Sequence, residues 1–273
     1  MLKEVAHTLR NRSFIITTAV GMLWAISGGA RGAFDIYFGL YFWELKQMQL
    51  VTLAGITAVR GFIGVALARC AVRRMGKKYG VITVAFTAAV IHMTPVSLRL
   101  LGLAPANGTP ELLVLLYGEE IFNAIFAATT LVIMASILAD VVEDAEVKTG
   151  RRSEGLLLSA GNLFRKSVSG VGIFIGTATL TAINFPRGAE RGEVPPEVLH
   201  NLGLVYIPMA GILYSTALIC LFFLNITRKK HEDNLRTLEE SAAMSEVEPE
   251  DPAGVSAPIV GVTPRPAGNP GAA

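Results

Sequence analysis

Residues 111–155 read ELLVLLYGEEIFNAIFAATTLVIMASILADVVEDAEVKTGRRSEG. The first part, to Leu138, is mostly apolar, and its strongly polar residues are Glu111, Glu119, Glu120 and Asn123. A helix needs about 20 mostly apolar residues to cross a hydrocarbon core of about 30 Å, and this run exceeds that. From Asp140 onward the chain changes abruptly to acids and bases. The pattern predicts a membrane-crossing helix that ends in a charged segment at the membrane surface.

The same alternation recurs on both sides. Upstream are runs at 13–43, 48–68 and 79–103, the third with Pro95 inside it; downstream are runs at 155–185 and 202–226, the last containing Pro208. Together with 111–138 they predict six membrane-crossing helices. The first is long enough to tilt or kink at Gly28-Gly29. Proline and glycine are tolerated in such helices because neighbours satisfy the freed backbone groups.

Composition agrees. Apolar residues make up 52% of the chain, charged residues 17%, and mean hydropathy is +0.49. Soluble domains usually carry about a quarter charged residues, and here the charges gather in short stretches. Cys70 and Cys220 are the only cysteines and lie in or beside apolar runs, so they suggest neither a disulfide framework nor a metal site. The first thirteen residues are too polar for a cleavable leader. No phosphate-binding loop, HExxH or GxSxG appears, and no His/Cys cluster has metal-ligand spacing, so nothing argues for an enzyme.

Orientation follows from lysine and arginine placement. One side collects Lys3, Arg10, Arg12, Arg69, Arg73, Arg74, Lys77, Lys78, Lys148, Arg151, Arg152, Arg228, Lys229 and Lys230. The other holds Lys46, Arg99, Arg187 and Arg191. Both termini are therefore expected in the cytoplasm, as an even helix count also requires. The expected organisation is a cytoplasmic opening segment at 1–12, a transmembrane bundle at 13–227 and a cytoplasmic tail at 228–273. Residues 231–244 could form a surface helix; beyond them, six of the thirteen prolines fall in 246–273, which is expected to be disordered.

The link from Ala139 to Gly155 resembles the A-D-V-V-D-Y-G-E-x-K-T-G-x-R-x-E-G signature of the glycoside–pentoside–hexuronide:cation symporters. These form the melibiose-permease-like branch of the major facilitator superfamily, and the signature lies between their helices ten and eleven. The sequence departs at Glu143, Asp144 and Ala145, where the family usually has Asp, Tyr and Gly. Leu9-Arg10-Asn11-Arg12-Ser13-Phe14 resembles the opening of helix seven, with Ser13 replacing a proline. Arg73-Arg74-Met75-Gly76-Lys77-Lys78 resembles the basic turn between helices eight and nine. Phe164-Arg165-Lys166-Ser167 looks like the stretch of helix eleven that carries a functional lysine, at Lys166.

The resemblance covers about residues 8–228. It implies an all-α membrane protein, six helices that correspond to family helices seven to twelve, one half of a complete transporter. In this superfamily each half is a pair of inverted three-helix repeats, and substrate sits between the halves. The family's principal cation-binding acids lie in the other half and have no counterpart here. The resemblance therefore implies a fragment, one product of a split gene, or a half that pairs with a missing N-terminal bundle or a second copy. The other expected partners are a small solute and the lipid bilayer, with no nucleic acid. No cofactor is expected beyond a coupling ion, H⁺ or Na⁺.

Ionisable residues inside spans are costly and point to function. Lys166 lies eleven residues into predicted helix five, about 16 Å deep at 1.5 Å per residue. Ser159, Asn162, Lys166 and Ser169 fall on one helical face, which should meet a cavity or a partner bundle. Lys166 with Asn162 could meet a solute hydroxyl or carboxylate, or form an ion pair that breaks during rocking. Arg165 points away and reads as a helix–helix contact. Glu119, Glu120 and Asn123 are candidates for solute or coupling contacts, with Glu119 or Glu120 the candidate for proton coupling; the plainer reading makes the acids counter-ions of Arg60 or Lys166. Arg31 and Asp35, four apart, suit an intrahelical ion pair. Arg60 needs a partner, with Asp35 and Glu120 nearest by register. His92 reads as a hydrogen-bonded structural histidine, with a proton relay as the alternative. Asp140, Glu143, Arg151 and Arg152 are either a solvated charged loop or a salt-bridge network closing the inward side. Gly172 and Gly176 give a spacing that permits close helix approach.

The expected function is cation-coupled symport of a sugar or glycoside by alternating access. The alternatives are transport of a lysolipid or other amphiphile on the same fold, and a non-transporting half that acts as an assembly partner. The expected location is the cell membrane.

Overall fold

The computed structural model describes residues 12–149, 154–186 and 188–224; the side chains of 12, 57–62, 145, 148, 149, 154 and 156–158 lie outside the description. Every regular element among the described residues is helical. Helix α1 is Arg12–Tyr37 and runs into a π-helical turn at Phe38–Phe42. A single helical stretch follows at Gln47–Leu100, broken at Gly76 by φ 75° and ψ 169°. That conformation suits a residue without a Cβ. The chain reverses there: Gly80 lies back against Ala71, where a Cβ on Gly80 would be 3.5 Å from the Ala71 carbonyl. The stretch is therefore two antiparallel helices, α2 at 47–75 and α3 at 77–100. Helix α4 is Pro110–Thr149, α5 is Glu154–Ala182 and α6 is Pro196–Phe222.

Four segments are long and apolar enough to cross a membrane: Ser13–Phe42, Ile63–Leu100, Pro110–Asp144 and Pro196–Phe222. The stretch 63–100 contains the reversal at Gly76. Pro95 and Pro208 both lie inside helices, as expected.

Several expected boundaries move. Helix α2 continues through the basic residues to Met75, and α4 runs on through Asp140, Glu143 and Asp144 to Thr149. Most of the segment read as a charged loop is thus helix. Helix α1 is continuous through Gly28-Gly29, and a π-helical irregularity falls at Phe38–Phe42.

Gly29 has another use. A Cβ there would strike the backbone carbonyl of Ser169 on α5. Across the same contact, a Cβ on Gly172 would strike the carbonyl of Ile26, and one on Gly176 would come within 2.7 Å of the Ala33 Cβ. Helices α1 and α5 run parallel with backbones in near contact, and small residues make this possible. Lipid tails are as apolar as leucine, so close van der Waals fit is a main source of helix association in a membrane.

Two apolar layers flank the middle of the bundle. One joins Phe34, Phe38, Phe42, Trp43, Leu112, Leu116, Leu202 and Tyr206; the other joins Val20, Ala68, Val81, Ile133, Ile137 and Leu221. Phe34 and Phe38 meet Tyr206 with ring centroids 5.3 Å and 4.8 Å apart. Between the layers, the helices bring their polar residues to a common level.

Gly172→Leu is expected to destabilise the bundle by about 1–3 kcal/mol through overpacking. Gly170→Ala, where the added Cβ meets nothing within 4 Å, should be near neutral. Thermal unfolding in detergent checks both; equal midpoints would contradict the close α1–α5 contact.

Candidate functional site

Arg31 on α1 lies at the polar level, one turn from Asp35. Its Nε is 3.5 Å from Asp35 Oδ1, and its terminal nitrogen donates to Glu120 Oε2 on α4 at 3.2 Å. The side chains of Arg31 and Glu120 are 28% and 14% exposed, whereas Asp35 is 57% exposed. The better-buried link is therefore the one between helices. The expected Arg31–Asp35 pair is present, and a second carboxylate joins it.

Glu119 points to a different partner. Its Oε1 is 3.1 Å from His92 Nδ1 on α3, and His92 Nε2 is 2.6 Å from the Tyr206 hydroxyl on α6. The His92 ring also meets the Tyr214 ring at 6.3 Å. Glu119 and Glu120 are neighbours in sequence, yet one ties α4 to α3 and the other ties α4 to α1. The counter-ion reading for these acids thus changes: the described partners are Arg31 and His92, not Lys166. The Arg60 side chain lies outside the described residues.

These groups line a cavity of about 620 Å³. Its polar wall includes Arg31, Asp35, His92, Glu119, Glu120, Asn123 and Tyr206, and its apolar wall includes Phe38, Trp43, Leu50, Leu53 and Val96. Asn123 is buried on the same face of α4 as Glu119. Above the cavity, Arg99 stacks on Trp43 with its guanidinium carbon 4.9 Å from the ring centroid. Arg99 also donates to the Pro105 carbonyl and to Asn107 Oδ1, and Asn107 donates to the Phe42 carbonyl at 3.1 Å. This network holds the loop after α3 against the end of the π turn.

Lys166 and Asn162 are not part of the cavity wall. Both are exposed on α5, with Ser159 exposed on the same face. Asn162 accepts a hydrogen bond from Arg165. The Arg165 stem packs where a Cβ on Gly21 would meet it at 3.0 Å, which fits its reading as a helix–helix contact. Lys166 makes no ion pair among the described residues. The five residues read together as solute or coupling candidates thus divide into two places, the cavity and an exposed helical face.

At the opposite end of α4, Asp140 is buried and accepts from Lys77 Nζ at 2.6 Å and 2.7 Å. Lys78 Nζ donates to the Phe222 carbonyl at the end of α6, at 2.6 Å. The turn at Gly76 thereby ties α4 and α6 together. Asp144 is buried and Glu143 half-buried nearby. Arg151 and Arg152 lie outside the described residues. In the sequence Lys77 stands out as a positive charge within the basic turn at 73–78, without a named partner. Sequence reasoning passed over Tyr206, although a phenol within an apolar run signals a need for a hydrogen-bond partner.

Comparisons with known proteins agree with this architecture. A family profile described as MFS/sugar transport protein matches residues 1–228. The chain is 24% identical over 246 residues to an uncharacterized symporter of Synechocystis sp., covering 88% of this chain and 43% of that protein. It is 25% identical over 255 residues to the putative glycoside/cation symporter YagG of Escherichia coli K12, covering 91% of this chain and 51% of that protein. The chain thus spans about half the length of these curated relatives. It belongs to the MFS/sugar transport family, and is an all-helical, multi-pass membrane protein of a transporter class.

Removing Arg31 deletes its contacts with two carboxylates, Asp35 and Glu120. Arg31→Leu is expected to cost about 1–3 kcal/mol, between the values for exposed and fully buried pairs. Arg31→Leu combined with Glu120→Leu should recover at least half of that loss in thermal unfolding. Full additivity of the two substitutions would deny the link.

Proposed function

We propose that this chain forms one six-helix bundle of a cation-coupled symporter that moves a sugar or glycoside-type solute by alternating access. The six crossings are α1 to α6, with the chain ends on the cytoplasmic side as the lysine and arginine distribution indicates. The bundle works with a second one, an N-terminal half or another copy, seated on the face of α5 that carries Ser159, Asn162 and Lys166. The chain's coverage of about half of its relatives supports that arrangement. The observation that carries the reading is the paired charge cluster around the cavity in a bundle of this family. Buried ionisable groups in a membrane protein mark pathways for solutes and ions.

The two polar places take two roles. Lys166, facing the second bundle, meets solute hydroxyls. The enclosed carboxylates between α1, α3 and α4 serve the coupling ion. The Lys77–Asp140 contact closes the cytoplasmic end and opens when the bundles rock, the kind of ion-pair exchange that accompanies rigid-body switching.

The experiment is uptake of radiolabelled methyl glycosides into proteoliposomes that contain the complete assembly, under imposed H⁺ or Na⁺ gradients. Wild type should accumulate at least one of them, and Lys166→Ala should lower uptake at least tenfold while the protein remains folded. Unchanged uptake in Lys166→Ala would reject the role of that residue. Absence of gradient-driven uptake for every glycoside, with lysolipid taken up instead, would reject the solute class.

A further inference from the structure

The bases around the turn at Gly76 are of two kinds. Lys77 and Lys78 are half-buried and engaged, Lys77 with Asp140 and Lys78 with the Phe222 carbonyl. Arg69, Arg73 and Arg74, in the last turns of α2, are exposed. None of the three forms an ion pair with a described residue. Positions 69, 70, 73 and 74 are three to five residues apart across one side of the helix, so the three guanidinium groups share a face with Cys70. The acids of α4 at this end do not answer them: Asp140 and Asp144 are buried and Glu143 is half-buried.

The end of α6 lies beside the same turn, because Lys78 Nζ holds the Phe222 carbonyl at 2.6 Å. The described chain ends at Leu224, two residues beyond that contact. Arg73 and Arg74 precede Lys78 by five and four residues, so with 3.8 Å between successive Cα atoms they lie within about 20 Å of it. Residues 225–273 therefore set out from a point close to the exposed arginines.

The sequence of that segment has the opposite sign. After Arg228, Lys229 and Lys230, residues 231–251 hold eight of the chain's 22 acids and one arginine, Arg236. Four of the acids fall together, at Glu246, Glu248, Glu250 and Asp251. The eight residues from Asn225 to Glu232 reach up to about 26 Å when extended, so the acids can meet the arginines of their own chain. Each exposed ion pair is weak and is screened by salt. A short tether offsets this by raising the local concentration of the acids to about the millimolar range, and several pairs then act together.

We propose that the acidic segment Glu232–Asp251 docks on the exposed arginine face of α2, at Arg69, Arg73 and Arg74. Docking joins the end of α6 to the α2–α3 turn a second time, beside the Lys78 contact. Anionic lipid headgroups have the same complementary charge. The tail is favoured because it leaves the bundle at this turn and brings its acids with it. The inference is independent of the solute and of the coupling ion.

Cys70 is exposed beside Arg73 and Arg74 and provides an attachment point for the test. The full chain carries Cys220→Ser, which leaves Cys70 as its one native thiol, and Ser245→Cys next to Glu246. Isotope-labelled and unlabelled chains are mixed in phosphatidylcholine vesicles and treated with a short, membrane-permeant bis-maleimide. At low salt the two thiols should be joined within one chain. About 1 M sodium chloride, where the Debye length is about 3 Å, should lower the yield at least fivefold. Arg73→Glu with Arg74→Glu should lower it as much at low salt, and adding Glu246→Lys, Glu248→Lys and Glu250→Lys should restore it. Arg73→Gln with Arg74→Gln should also lower the yield, and it serves in place of the reversed pair if that variant does not fold.

A yield that neither salt nor the arginine substitutions change would overturn the proposal, as would failure of the reversed acids to rescue a folded variant. Cross-linked peptides that pair labelled with unlabelled chains would assign the surface to a second copy and overturn it too. So would loss of the cross-link when phosphatidylglycerol replaces phosphatidylcholine, which would give the arginines to lipid headgroups.

Discussion

Placing a charged side chain at the centre of a bilayer costs about 2.5–3.5 kcal/mol on insertion scales, and more on an isolated helix. That cost organises this bundle. Arg31 is answered by Asp35 and Glu120, Glu119 by His92, and Asp140 by Lys77. Each interhelical pair also fixes which helices are neighbours: α1 with α4, α3 with α4, and the α2–α3 turn with the far end of α4. Helix α4 is the common member. Its acids at both levels act as the points to which α1, α3 and the α2–α3 turn are tied.

Packing serves a different part of the fold. Among the described residues, helix α5 is held to α1 by backbone approach at Gly29, Gly172 and Gly176. Its polar face is left free of the interior cavity as a result. Separate means of attachment let the bundle keep one polar place inside and another on an open face. The proposed symport, which would bind an ion and a solute and move one bundle against another, has use for both.

The helices were legible as apolar runs, and among the described residues four stretches are long and apolar enough to cross a membrane. Helix ends were less legible. Arg69 to Met75 and Asp140 to Thr149 are polar, so hydropathy marks them as loop, yet helices extending into the membrane surface can be polar and remain helical. Gly28-Gly29 carries the composition of a kink, but its use is decided by Ser169, 140 residues away in sequence. Arg31, Glu119 and Glu120 stood out as charges in apolar surroundings, and the Arg31–Asp35 pair followed from helical spacing. The Arg31–Glu120 partnership spans 89 residues, and no local pattern specifies it. Tyr206 gave only the weak signal of a phenol in an apolar run.

The central claim is that polar groups at membrane depth in this protein meet a partner or water, never acyl chains. Lys166 tests it most directly, since it lies on the open face of α5. In the assembled transporter in native membranes, with Cys70 and Cys220 replaced by serine, single cysteines at Ser159 and Lys166 should react with a membrane-impermeant maleimide. Reaction confined to a hydrocarbon-soluble thiol reagent would place that face against lipid and contradict the claim.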